Sequence, residues 1–82
     1  MPYIKPEKRV VMDVLVAKMK SYKVKADGDL NYVLYKYCKE NIDPSYNNYK
    51  NYIGELRQCA VEIERRLLAK YENEKIKEYG DV

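Results

Sequence analysis

Glu62, Arg65, Arg66 and Tyr71 are the residues of this chain whose types and spacing best suit a binding site. A carboxylate one helical turn ahead of two guanidinium groups can hold them in place, and guanidinium groups take phosphate or carboxylate through paired hydrogen bonds. The same spacing also fits a solvated helix face in which Glu62 supports Arg66 at i, i+4, and spacing alone favours that plainer reading. Tyr71 follows the two arginines by five or six residues, and Tyr32 stands beside Asn31 near the start of another segment. A planar base between a tyrosine ring and a guanidinium is a common nucleotide contact, although packing is the commoner use of tyrosine.

Other chemistries lack their parts. With no histidine there is no imidazole base, no Ser-His or Cys-His nucleophile pair and no imidazole metal ligand. Two cysteines, Cys38 and Cys59, cannot build a four-thiolate zinc site in one chain. No glycine-rich phosphate loop occurs. Asp27-Gly28-Asp29 looks like the start of a calcium loop, but the remaining ligands and the bidentate glutamate are missing. The expectation is a protein that is not an enzyme and carries no cofactor and no metal.

The elements that must position these residues read as helices. Pro6 suits a first helical turn, because its missing N–H is one that the turn leaves unpaired anyway. Val10, Val11, Val14, Leu15, Ala17 and Met19 then give an apolar arc over about residues 7–22. Lys18 and Lys20 close that helix, where cations oppose the macrodipole. Asp27 or Asp29 can cap a second helix over about residues 29–40, whose stripe is Leu30, Val33, Leu34, Tyr37 and Cys38. Asp43-Pro44 turns the chain, and Ser45 or Asn47 can cap a third helix. Tyr49, Ile53, Leu56, Ala60, Ile63 and Leu67 follow the alternating four- and three-residue spacing of a packed helix pair, from about residue 47 into the low seventies, and Tyr52, Cys59 and Leu68 widen the stripe. Gly54 lies inside this helix, where the close approach of another backbone would justify it.

These signals predict an all-α fold: one three-helix domain over residues 1–82 with a long C-terminal helix. Residues 1–5 form an extended lead-in and residues 73–82 a charged extension. The third helix is longer than two short companions can cover, which predicts a homo-oligomer. Both cysteines sit in apolar patterns and are expected to be buried thiols. Ten tyrosines stand in 82 residues without phenylalanine or tryptophan, a composition that suits a partly wet core, an interface or a stacking site. No run is long and apolar enough for a membrane span, and the N-terminus lacks a signal-peptide core, so a cytoplasmic protein without a membrane partner is expected. Net charge is +3, too mild and too scattered for a strong nucleic-acid footprint, although Lys18, Lys20, Lys23 and Lys25 allow weak binding.

Several pieces are familiar. Met1-Pro2-Tyr3-Ile4, Asp27-Gly28-Asp29-Leu30-Asn31-Tyr32, Ile53-Gly54-x-Leu56, Glu62-x-x-Arg65-Arg66, Tyr71-Glu72 and the Gly80-Asp81-Val82 ending resemble a family of small uncharacterised phage and prophage proteins. In those relatives a proline precedes the Tyr-Glu pair. Lys70 stands there in this chain, so the third helix is free to run on through Tyr71. The resemblance implies a phage or prophage setting, hence the cytoplasm of a host bacterium. By analogy of size and setting it implies a sponge that sequesters a nucleotide signal of host immunity. On that reading Arg65 and Arg66 meet phosphate, Glu62 orients them, and Asn31, Tyr32 and Tyr71 contact the base or ribose. The alternatives are a structural or protein-binding helical oligomer with no small ligand, and a weak nucleic-acid binder.

Overall fold

The computed structural model describes residues 3–82; the Met1-Pro2 part of the lead-in lies outside the described residues. The described residues are helical, with no strand among them, and the helices number three, the last of them 34 residues long. They divide into two compact units, residues 3–49 and Lys50–Val82.

In the first unit α1 spans Pro6–Ser21, with proline in its first turn and Glu7 beside it. Lys5 stays extended and its side chain provides no cap; its carbonyl accepts from the Lys8 and Arg9 N–H groups at 2.9 and 3.1 Å. The Arg9 Nε donates to the Ile4 carbonyl at 3.0 Å and ties the lead-in to the helix. The end of α1 is a crossed pair of bonds, Lys23 N–H to the Lys20 carbonyl and Val24 N–H to the Met19 carbonyl, both 3.1 Å. That geometry is a Schellman motif, which needs a left-handed residue just past the helix. Lys23 fills that place at φ 56°, where glycine is the usual occupant.

Helix α2 spans Gly28–Asn41, and Asp27 caps it by accepting from the Asp29 N–H at 2.9 Å. Leu30, Leu34, Cys38 and Ile42 are half-buried at four-residue spacing, whereas Val33 and Tyr37 are exposed. The inward face of α2 is therefore narrower than the expected stripe. Met19, Val24 and Ile4 are the other half-buried apolar side chains of this unit. No extended packing joins α1 to α2, and Val10 is 69% exposed.

Helix α3, Tyr46–Ile63, begins in the first unit and continues in the second. Ser45 Oγ accepts from the Asn48 N–H at 3.0 Å, and the Asn48 amide donates to the Asp43 carbonyl at 3.1 Å, so the cap and the preceding turn hold each other. A π turn, Glu64–Leu68, follows and leads into α4, Ala69–Tyr79. The Ala69 N–H reaches back five residues to the Glu64 carbonyl, and Ile63, Leu68 and Ala69 all keep right-handed helical angles. The chain thus remains helical through the charged stretch beyond Lys70, up to Tyr79. Gly80 at φ 85° stops it, with its N–H on the Ile76 carbonyl at 2.8 Å.

No side chain among the described residues is buried. The two thiols correct the expectation directly: Cys59 is exposed, Cys38 is half-buried, and both are free. Among the described residues nothing lies within 4 Å of where a Cβ on Gly54 would stand, so none of their backbones explains that glycine. Among the described residues no helix is long and apolar enough to cross a membrane.

Candidate functional site

The π turn sits on the Glu62-x-x-Arg65-Arg66 stretch. Wide turns of this kind appear mostly as single insertions in α-helices, often at functional sites. One extra residue in the turn lets everything after it lag by roughly 100° around the axis. The apolar seam of α3 then passes to Leu68 rather than Leu67, and Leu67 is the more exposed of the two at 65%. The spacing of the sequence, read without this lag, assigns Leu67 to the seam.

Glu62, Arg65 and Arg66 come together. Arg65 Nη2 donates to both carboxylate oxygens of Glu62, at 3.2 Å to Oε1 and 3.1 Å to Oε2. Arg66 Nη1 stands 3.9 Å from Oε2, an ion pair without a hydrogen bond. The carboxylate of Glu62 is the covered member of the trio, its side chain 14% exposed, while those of Arg65 and Arg66 are 64% and 57% exposed. The closer partner is therefore Arg65 at i+3, not Arg66 at i+4. Two cations share one anion, which leaves a local positive excess that faces water. Arg66 makes no hydrogen bond among the described residues.

The other three candidates have partners of their own. Tyr71 lies on α4, exposed, with the Lys75 ammonium 5.5 Å from its ring centroid. The same ammonium lies 5.4 Å from the Tyr79 ring and pairs with Glu78 at 3.2 Å. Asn31 and Tyr32 belong to the first unit, in the opening turns of α2. The Tyr32 hydroxyl accepts from Lys36 Nζ at 3.1 Å, and Lys36 also pairs with Glu40 at 3.6 Å. That hydrogen bond, then the electrostatic pull of Tyr32 and of Glu40, holds the Lys36 ammonium above the ordinary lysine range. Tyr32 and Tyr71 thus each have a lysine at i+4, a spacing visible in the sequence. Among the described residues no cluster of three or more acidic, cysteine or histidine side chains is placed to hold a metal.

A family model matches the chain from residue 1 to residue 82. The chain belongs to DUF6899, a domain of unknown function. The match covers every candidate residue of this DUF6899 protein, in both units. No curated protein and no solved structure matches it.

Proposed function

We propose that this DUF6899 chain is a non-enzymatic binding protein that works as a homo-oligomer and holds an anionic, nucleotide-like ligand. The observation that carries the reading is the trio at the π turn. Glu62 fixes Arg65 from beneath, and Arg66 is left with its hydrogen-bonding edge toward solvent. An arginine oriented by a covered carboxylate loses less freedom on meeting phosphate than one that is free to rotate. Asn31, Tyr32 and Tyr71 would supply the base and ribose contacts. The resemblance to phage and prophage proteins supports a nucleotide signal of host immunity as the ligand and the host cytoplasm as the place. No enzymatic role is proposed, because only carboxylates, tyrosines and lysines are at hand as acids or bases.

Isothermal titration of the full chain with linear and cyclic nucleotides tests this. Binding that weakens by about tenfold or more in Arg66→Ala, and comparably in Arg65→Ala, is the expected result, since charge-assisted contacts are each worth roughly 1.5–3 kcal/mol. A protein that takes up no nucleotide at millimolar concentration overturns the ligand.

A second reading, a structural or protein-binding oligomer without a small ligand, is favoured by the large apolar side chains that stand exposed among the described residues. Assembly by light scattering with no heat of nucleotide binding would decide for it.

A further inference from the structure

We propose that two copies of this chain pair antiparallel along α3, locked by Arg57 of each copy against Glu64 of the other; this rests on the self-assembly half of the proposed function and not on its ligand. The seam of α3 is Ile53, Leu56, Ala60 and Ile63, at the alternating spacing of helices that pack side by side. None of the four is buried, and Ile53 and Ile63 are about half exposed. Two isolated charges border the seam on the same side. Arg57 precedes Glu64 by seven residues, two turns or roughly 10 Å along the axis, too far to meet within one chain. Neither has an ion-pair partner among the described residues. Glu64 opens the π turn, so it still keeps the phase of α3.

A second copy decides what these charges can do. Two-fold symmetry makes every contact occur twice, residue i on j and j on i. Antiparallel pairing centred between Val61 and Glu62 sets Arg57 beside Glu64 of the second copy on both flanks. It also sets Ala60 across from Ile63, small against large. Parallel pairing sets Arg57 across from Tyr52 and Glu64 across from Cys59, and both charges stay unmatched. The charges therefore select the antiparallel direction. Glu62 lies about 140° around the helix from the seam, so assembly leaves the anion site uncovered.

The test is sedimentation of the full chain at tens of micromolar, with helix content checked by circular dichroism. Wild type should assemble in pairs or multiples of pairs. Arg57→Glu alone and Glu64→Arg alone should each weaken assembly by about tenfold or more, because each sets like charges together. The double exchange Arg57→Glu with Glu64→Arg should restore it to within a few-fold of wild type. Assembly that ignores both single exchanges, or that the double exchange fails to restore, overturns the pairing while self-assembly stands. A folded monomer overturns both.

Discussion

Replacing Lys23 by glycine should make the protein more stable, even though it removes a side chain and a charge. Lys23 holds φ 56° at the end of α1, where Val24 and Lys23 donate back to Met19 and Lys20. An L-residue with a Cβ in that region is strained by roughly 1–2 kcal/mol, and glycine is not. Glycine also gains freedom in the unfolded chain, which takes back about 0.4–1 kcal/mol. Loss of a cation near a helix C-terminus takes back about 0.3 kcal/mol more. The balance is a gain of roughly 0.5 kcal/mol, or a few degrees in midpoint for a domain of this size. Urea titration followed by circular dichroism, at fixed protomer concentration, reads it as a higher midpoint with unchanged slope. Lys23→Ala keeps the Cβ and loses the charge, so it should be no more stable than wild type. If Lys23→Gly unfolds at lower urea than wild type while Lys23→Ala does not, the left-handed strain is not the controlling term and the reasoning fails.

Gly54→Ala should stabilise α3 by up to about 1 kcal/mol, since a Cβ there meets nothing among the described residues; a lower thermal midpoint would mean that something packs on that glycine. Asp27→Ala removes the acceptor of the Asp29 N–H and should cost about 1 kcal/mol of stability in the same urea assay, with Asp27→Asn recovering most of it. The raised pKa of Lys36 has a definite sign. The stabilisation it carries is complete below the ordinary lysine value of 10.5 and fades only as pH climbs through the raised one. Helix content across neutral pH should therefore be flat with respect to this group, and the Lys36 midpoint, followed by NMR, should move down in Tyr32→Phe; an unmoved midpoint assigns the shift to Glu40 alone.

Much of the architecture was legible because its signals are local. Pro6, Asp27 and Ser45 each act within a few residues, and each sits at a helix start in the structure. Lys23 escaped notice because lysine announces no turn; its backbone is set by the crossed bonds around it. The π turn escaped for a different reason. Periodicity assumes one angle per residue, and a single widened turn shifts the phase without changing composition, which is why Leu68, at the margin of the expected stripe, is less exposed than Leu67 on its seam. Burial of Cys38 and Cys59 could not be read at all, since an apolar pattern says that a face needs covering and not what covers it. At the candidate site, the contact between Glu62 and the arginines followed from helical spacing. The lysines beside Tyr32 and Tyr71 follow the i, i+4 spacing of helical neighbours.

A helix that carries one surplus residue is out of step with itself on either side of it. At most helical positions a deletion scrambles everything downstream. Between Glu64 and Leu68 it would do the reverse: removing the surplus residue closes the wide turn to an ordinary one and leaves Tyr71 and Tyr79 facing as they did. Length variation of one residue at this place would thus be absorbed without re-aiming the C-terminal arm, a tolerance that the ordinary turns of the helix lack.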